Sequence, residues 1–420
     1  MKRGSLKGQA LVLAGSNAVV RALGFLLHVV LSRLLGPQAL GVMELAHNVH
    51  MLSIVPVTAG LPLAVSRLTA QREDAAALRA GRSLVLRAGA VLLPLWALTA
   101  PLTAQLLGDR RTLPPLLAFT PCILVLGLSA VYNGYCYGCG AAWPPALGTL
   151  SEQVLRFLLA AGLLTALPAL SVPLRAAVPA VATLAAEIAA LALMAGMLRH
   201  EGMLVRAPLD AALRGEVFRL SMPLTLARLL QTLLRSALGV LIPRRLVYGG
   251  LGAEAATAAY GMLQGMVMPV LMLPGILTAA VGMVGTPAIA RRSGAELRRL
   301  AAEIFAVSLG CGAAGALAVR AASPLLAEHV YGVTALAPLF RCAAPLTLLF
   351  ALQQATGTLL TGLGQQKRTL LPTLAGAAVT LLLTYFWAAS PMRLEGAVYA
   401  LLLGRAVALL GQLAAVLRVL

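Results

Sequence analysis

Long apolar runs separated by short polar segments follow one another along the whole chain. Each run has about 20 or more mostly apolar residues, the length that an α-helix needs to cross a bilayer core of ~30 Å. The pattern predicts twelve helices, near residues 9–33, 41–66, 83–107, 113–138, 145–168, 174–198, 217–242, 257–290, 300–322, 335–361, 369–389 and 394–417. The eighth is too long for one straight span and contains Pro269, Pro274 and Pro287, so we expect it to be kinked or broken.

Composition points to the same class of protein. Of the 420 residues, 60% are hydrophobic and only 11% are charged, whereas a soluble domain carries about 25% charged residues. This much apolar surface exceeds what one water-soluble core can bury. The sequence therefore predicts an all-α polytopic membrane protein with about 12 transmembrane helices.

The net charge of +19 arises from short basic clusters between the apolar runs. No basic stripe with interleaved aromatic residues is present, which argues against nucleic-acid binding. The loops on the side of the N-terminus contain Arg72, Arg79, Arg82, Arg199, Arg206, Arg214, Arg219, Arg291, Arg292, Arg298, Arg299, Lys367 and Arg368. The opposite loops contain fewer basic residues, chiefly Arg110, Arg111, Arg175, Arg244, Arg245 and Arg393. This bias predicts a multi-pass protein of the cytoplasmic membrane with both termini in the cytoplasm.

The chain resembles a tandem repeat of two halves. Leu61-Pro62 followed by Ser66-Arg67 matches Thr286-Pro287 followed by Arg291-Arg292, and Gly138-Cys139-Gly140 matches Gly362-Leu363-Gly364. Chance matches remain an alternative because Gly and Pro are abundant. The charged segment near 199–216 predicts a linker between two six-helix lobes, 1–205 and 206–420. Parallel repeats of this kind are a common plan of transporters, with the substrate site between the halves.

Three arginines inside predicted helices are the main candidates for chemistry, because charge in a bilayer is costly. Arg21 lies near the middle of the first helix, and Arg228 and Arg235 lie two turns apart on the seventh, with Gln231 between them. Guanidinium groups bind phosphate through paired hydrogen bonds. The cluster predicts a basic site for a pyrophosphate. In the alternative interpretation, these arginines pair with internal carboxylates and only fix helix packing.

Other polar residues inside the apolar runs allow more than one interpretation. Glu152 and Arg156 have the spacing of an intrahelical ion pair, which could be structural or could contact substrate. Glu44, His47 and His50 could form a metal site, a proton relay or a plain polar face. Glu187 and Arg405 are isolated and could be packing partners for the other charges. We expect Glu44, Glu152 and Arg156 to join the substrate site.

No motif indicates an enzyme or a bound cofactor. The glycine-rich stretches 138–140 and 362–364 end apolar helices and do not follow strands, so they do not fit a dinucleotide-binding loop. Cys136 and Cys139 form a lone pair without the second ligand pair that a zinc site needs. We therefore expect no metal and no cofactor, apart from a coupling ion, H⁺ or Na⁺.

Several segments resemble the polysaccharide-biosynthesis flippases, and in particular the stage V sporulation protein B group. The similar segments are Leu23-Gly24-Phe25, residues 31–36 (Leu-Ser-Arg-Leu-Leu-Gly), residues 59–67 (Ala-Gly-Leu-Pro-Leu-Ala-Val-Ser-Arg), Glu152-Gln153 with Arg156, Pro243-Arg244-Arg245-Leu246 and Thr361-Gly362-Leu363-Gly364. Together they extend over essentially the whole chain. That group belongs to the multidrug/oligosaccharidyl-lipid/polysaccharide exporter (MOP) superfamily, which includes the multidrug and toxin extrusion (MATE) transporters.

The resemblance implies two six-helix lobes that alternate access to a central cationic cavity, with arginines of the first and seventh helices in contact with substrate. It implies a flippase for an undecaprenyl-pyrophosphate-linked oligosaccharide or peptidoglycan precursor, such as lipid II. Its partners would be this anionic lipid-linked sugar and membrane lipids, and we expect a monomer. A cation-coupled multidrug exporter of the same superfamily and a non-transporting scaffold for envelope synthesis are the alternatives.

Overall fold

The computed structural model describes residues 6–72, 74–203 and 210–420, apart from the side chains of 6–14, 16–18, 283 and 284. The described residues are mostly helical and include no β-strand. Their α-helices are α1 (Leu6–Thr58), α2 (Leu61–Arg72), α3 (Ala76–Leu107), α4 (Leu113–Phe119), α5 (Cys122–Gly138), α6 (Trp143–Ala166), α7 (Val172–His200), α8 (Ala211–Tyr248), α9 (Ala253–Gly261), α10 (Met268–Leu271), α11 (Gly275–Ile289), α12 (Gly294–Leu325), α13 (Leu336–Ala343), α14 (Pro345–Gly362), α15 (Leu370–Trp387) and α16 (Arg393–Leu417). The predicted boundary at 205/206 and Arg206 lie outside the described residues.

The first two predicted helices are joined in α1, which changes direction at Gly36. This glycine has φ 69° and ψ 170°, a backbone conformation that side chains with a Cβ rarely adopt. Pro37 follows and restricts the backbone further. The helix continues to Thr58, and a short break before Leu61 separates it from α2. The apolar pattern therefore located both membrane segments but not the continuity of the helix across Gly36.

The described residues contain enough spans for the predicted number of crossings. Ten helices are long and apolar enough to cross a membrane, and a bent helix pair adds an eleventh. The first of these ten candidates, Val19–Arg72, has 54 residues. Such a helix would measure about 80 Å if it were straight, far more than the ~30 Å of a bilayer core. Gly36 divides it into two stretches that are each long enough for one span, and counting them separately would give the predicted twelve.

The predicted break in the eighth span is confirmed. The span consists of α9, a π-helical segment at Met262–Val267, α10 and α11. A bend of 50° lies between Ala253–Leu271 and Gly275–Ile289, and Pro274 stands directly before α11. Proline lacks an amide hydrogen and its ring clashes with the preceding turn, so a helix bends or ends there.

The chain forms two compact units. The first unit comprises the described residues up to Leu27 together with Val42–Ser236, and the second comprises His28–Gly41 together with Ala237–Leu420. The core of the first unit joins the end of α1 to α2, α3, α5, α7 and the start of α8, through residues such as Val57, Val65, Val131, Leu198 and Val217. The core of the second unit includes Ile289, Ile304, Leu359 and Val416. All seven predicted site residues fall within the first unit.

Candidate functional site

Three guanidinium groups of the first unit are exposed near the middle of long apolar helices. Arg21 lies midway between Leu6 and Gly36, and Arg228 and Arg235 lie in the central part of α8. All three side chains are exposed. Among the described residues, none of them forms an ion pair. The described residues therefore do not show the alternative arrangement, in which each arginine is locked against a carboxylate.

The face of α8 that packs inside the first unit opens where its arginines lie. Ser221, Thr225 and Ser236 are buried on this face. At 3.6 residues per turn, Arg228 and Arg235 project about 20° and 40° from the direction of Ser221. They share the packed sector but are exposed, and Gln231 beside them is half-buried. The packed face of α8 is therefore exposed and basic over these two turns.

Arg228 and Arg235 also act on each other electrostatically, as like charges on one helix face do. Two such cations on one helix face repel, and an anion between them would relieve that repulsion. A phosphate or pyrophosphate group would supply both charge compensation and acceptor oxygens for the two guanidinium forks. The pair is thus suited to an anionic ligand.

Arg21 lies close to the contact between α1 and α6. Gly24, one turn after Arg21, faces Gln153 of α6, whose Oε1 would lie 4.0 Å from a Cβ at Gly24. Residues three apart on a helix share a face. Arg21 therefore projects toward the side of α1 that meets α6.

Glu152 and Arg156 form the predicted i, i+4 ion pair on α6. Glu152 is buried, and about a quarter of the Arg156 side chain is exposed. Glu187 of α7 interacts electrostatically with both residues and accepts a hydrogen bond of 3.2 Å from Ser129 Oγ of α5. One arginine thus faces two carboxylates across three packed helices, so this group adds no positive charge to the site.

Glu44 is buried in the second part of α1, and its Oε1 has no hydrogen-bond partner among the described residues. One turn later, Asn48 contacts Ser236 of α8: Ser236 Oγ donates to the Asn48 carbonyl at 3.2 Å, and Asn48 Nδ2 donates to the Ser236 carbonyl at 3.4 Å. Ser236 directly follows Arg235. Glu44 therefore lies one helical turn from the contact that fixes α1 beside the basic segment of α8.

His47 and His50 follow Glu44 on this segment of α1 and lie near Phe119 of α4. The described residues contain no group of three or more His, Cys, Asp or Glu that could hold a metal ion. His47 and His50 instead both lie beside the ring of Phe119, with centroid distances of 5.6 and 4.5 Å. The isolated Arg405 of the second unit also has partners: its Nη1 donates to Gln353 Oε1 at 2.9 Å, and its guanidinium lies 4.8 Å from the Phe350 ring centroid.

Two contacts in this region were not expected from the sequence, namely Ser129 with Glu187 and Asn48 with Ser236. The two residues of the first contact are 58 positions apart in the sequence, and those of the second are 188 positions apart. No local periodicity relates residues at such separations. The available signal was the presence of polar side chains inside apolar runs, where they need a partner to satisfy their hydrogen bonds.

Comparisons with known proteins agree with this architecture. Residues 6–293 match the family model described as polysaccharide biosynthesis protein. Stage V sporulation protein B of Bacillus subtilis (strain 168) is 26% identical over 441 aligned residues, which cover 100% of this chain and 85% of the relative.

Solved structures of transporters share the fold. The inward-facing conformation of a multidrug resistance MATE family transporter of the MOP superfamily has a TM-score of 0.72 at 16% identity, over 96% of this chain and 98% of that one. A MOP superfamily transporter from Pyrococcus furiosus Vc1 (DSM3638), described as having a binding pocket of reverse polarity, has a TM-score of 0.67 at 16% identity, over 99% and 96% of the two chains. The chain therefore belongs to the polysaccharide biosynthesis protein family and has the fold of MOP-superfamily transporters.

Proposed function

We propose that this protein is a flippase that moves an undecaprenyl-pyrophosphate-linked sugar, such as a peptidoglycan precursor, across the cytoplasmic membrane. The observation that carries this proposal is the set of exposed guanidinium groups at Arg21, Arg228 and Arg235, none of which has a carboxylate partner among the described residues. A charge that faces lipid without compensation is costly, so we infer that these side chains face water and await an anion.

The pyrophosphate is the part of such a substrate that fits these side chains. It has several acceptor oxygens and at least two negative charges, which match the paired hydrogen bonds that a guanidinium offers. Arg228 and Arg235 lie two turns apart, about 10 Å along the helix axis. In this proposal they bind different parts of the headgroup, and Arg21 contributes a third positive charge.

The uncharged and acidic members of the predicted site suit the sugar. Gln231 lies between the two arginines of α8 and offers both a donor and an acceptor. Glu44, with its unpartnered Oε1, could accept hydrogen bonds from sugar hydroxyls. Glu152 and Arg156 neutralise each other, so we assign them to positioning of α6 rather than to charge recognition.

The family of this chain favours a carbohydrate cargo over cationic drugs. The family is described by polysaccharide biosynthesis. The Pyrococcus transporter shares the fold, and its reversed pocket polarity was taken to suggest a different function. The same fold can thus hold pockets of different charge, and an exporter of cationic drugs would need an acidic site where this unit presents arginines.

Removal of the three arginines tests the proposal. The triple variant Arg21→Ala, Arg228→Ala, Arg235→Ala should fail to complement a strain depleted of its flippase, while its amount in the membrane stays unchanged. The matched control is Arg199→Ala, Arg291→Ala, Arg292→Ala, which removes the same charge from exposed residues at helix ends and should complement. Full complementation by the first variant would refute the assignment. Drug resistance conferred by the wild-type chain but not by the triple variant would instead favour an exporter.

A further inference from the structure

A cleft in the first unit contains a buried histidine that the proposed substrate site does not use. Val49, His50 and Ser53 of α1 line it together with Trp96 and Thr103 of α3 and Phe119 of α4. Every lining residue except His50 is apolar or offers only a hydroxyl or an indole group. His50 is 3% exposed, so its ring nitrogens depend on hydrogen-bond partners inside the protein.

The hydrogen bonds around His50 leave one ring nitrogen open. Ser53 Oγ donates its hydrogen to the His50 carbonyl at 2.8 Å, so toward the ring it can act only as an acceptor. The ring Nδ1 lies 3.5 Å from that Oγ. This arrangement favours the tautomer with hydrogen on Nδ1 and a lone pair on Nε2. Nε2 is buried and has no hydrogen-bond partner within the described part of the chain.

Aromatic contacts set the surroundings of this lone pair. The His50 ring stacks on Phe119, with centroids 4.5 Å apart and planes inclined by 13°. The face of an aromatic ring attracts a cation, so Phe119 would favour a protonated imidazole. His47, 6.2 Å away, is the ionisable group that acts on His50 electrostatically. Glu44 lies six residues earlier, about 120° around the helix from His50, and α3 and α4 bring no ionisable side chain to the cleft.

We propose that Nε2 of His50 is a proton-binding site through which the transporter senses or uses a pH difference. The proposal rests on the proposed function for its link to transport, but proton binding itself can be measured without a substrate. The cleft lacks the several oxygen ligands, carboxylates above all, that a hard metal cation requires. A lone pair on an imidazole nitrogen suits a proton.

Burial supplies the link between protonation and conformation. An imidazolium buried in this mostly apolar cleft is disfavoured, because no carboxylate among the lining residues compensates its charge. A proton from water therefore binds Nε2 in a state that hydrates the cleft and leaves again when the cleft closes. Because proton binding differs between the two states, an acidic compartment shifts the population toward the hydrated state.

Trp96 provides a direct probe because it lines the same cleft as His50. The chain has three tryptophans, so the variant Trp143→Phe, Trp387→Phe reports on Trp96 alone, and an imidazolium quenches indole fluorescence. In nanodiscs, emission should fall by at least 20% between about pH 8 and pH 4.5 and recover on return. His50→Gln should abolish this titration, whereas His200→Gln, which replaces an exposed histidine, and Thr103→Val should retain it.

A second measurement covers the case in which the tryptophan variant does not fold. The chain has five histidines, and NMR of the ¹³C-labelled histidine rings in the chain with native tryptophans should include one reversibly titrating ring signal that only His50→Gln removes. Fluorescence titration that persists in His50→Gln, or NMR spectra in which His50→Gln removes no titrating ring signal, overturns the proton site.

Proteoliposomes test the link to transport. The flipping rate of a fluorescent undecaprenyl-pyrophosphate disaccharide is measured with and without a pH gradient of about two units. The ratio of these rates should exceed about 3 for the wild-type chain and for His200→Gln, and fall to about 1 for His50→Gln. A ratio that is unchanged in His50→Gln overturns the coupling role. Loss of the titration in His50→Gln, with no flipping by any protein, supports the proton site and refutes only the proposed function.

Discussion

At the residue scale, the first unit contains two kinds of arginine. One kind has its charge balanced by a carboxylate, and the other has no carboxylate partner among the described residues. Arg156 is held by Glu152 in an ion pair with Glu187 nearby, so its charge is neutralised inside the protein. Arg21, Arg228 and Arg235 are exposed and form no ion pair within the described residues. In a membrane protein the second arrangement is stable only if water or an anionic ligand supplies the compensation.

Lysine substitution distinguishes recognition by shape from recognition by charge. Arg228→Ala or Arg235→Ala should each lower the flipping rate of a lipid-linked sugar by about 10- to 100-fold, since a hydrogen bond to a charged group contributes about 1.5–3 kcal/mol. Arg235→Lys keeps the charge but loses the two-pronged geometry, so it should recover only part of the rate. Initial rates in proteoliposomes provide the measurement. Full recovery with lysine would mean that the site senses charge alone.

The ion pair on α6 should behave as a coupled unit in stability measurements. Glu152→Leu leaves the Arg156 charge partly buried without its partner and should destabilise the protein by about 2 kcal/mol, below the ~3–5 kcal/mol of fully buried pairs because Arg156 is partly exposed. The double variant Glu152→Leu, Arg156→Leu should lose less stability than the sum of the losses in the two single variants. Thermal unfolding in detergent would show this, and additive effects would contradict a mutual interaction.

Contacts within one helix of the site could be predicted from the sequence, whereas contacts between helices could not. The i, i+4 spacing predicted the pair of Glu152 and Arg156, because both residues lie on one helix and the helix fixes their distance. The same spacing logic placed Arg228, Gln231 and Arg235 on one face. The contact between Asn48 and Ser236 was not predictable in this way, because it depends on which helices become neighbours in the folded chain.

At the element scale, glycine positions decide how closely helices approach. Gly60, between α1 and α2, lies against the Ser221 carbonyl of α8, and a Cβ there would also lie 2.7 Å from Thr225 Oγ1. Apolar length predicted where the helices lie, and the prolines predicted the break in the eighth span. Neither signal predicted that α1 continues through Gly36, because hydropathy does not record a left-handed turn at one glycine.

A matched pair of alanine substitutions tests this close packing. Gly60→Ala would bring a methyl group against backbone of α8 and should destabilise the first unit by about 1–3 kcal/mol. Gly148→Ala in α6 meets no atom within 4 Å and should be neutral or slightly stabilising, because alanine favours helix. Size-exclusion profiles after heating would compare the folded fractions. Equal behaviour of the two variants would show that the contact at Gly60 is loose.

At the scale of the whole molecule, the two units do not consist of two consecutive stretches of chain. The segment His28–Gly41 belongs to the second unit, and Ala211–Ser236 belongs to the first. As a result, the arginines on α1 and on α8 fall in the same unit, although the sequence places them in different predicted lobes. Sequence repeats indicate which segments are similar, but the units depend on tertiary contacts, which similarity between segments does not specify.

The predicted orientation of the chain rests on its charge distribution and can be tested by labelling. Twelve spans would put both ends on one side of the membrane, and the excess of Lys and Arg in the loops on that side predicts that this side is the cytoplasm. In a cysteine-free background, Arg72→Cys and Arg291→Cys should react with a membrane-impermeant maleimide only after the cells are permeabilised. Arg110→Cys and Tyr248→Cys, both exposed at the opposite ends of their helices, should react in intact cells. Labelling of all four in intact cells would indicate leaky membranes. If only Arg72→Cys and Arg291→Cys react in intact cells, the chain has the opposite orientation. Arg21, Arg228 and Arg235 would then meet the headgroup from the opposite side of the membrane.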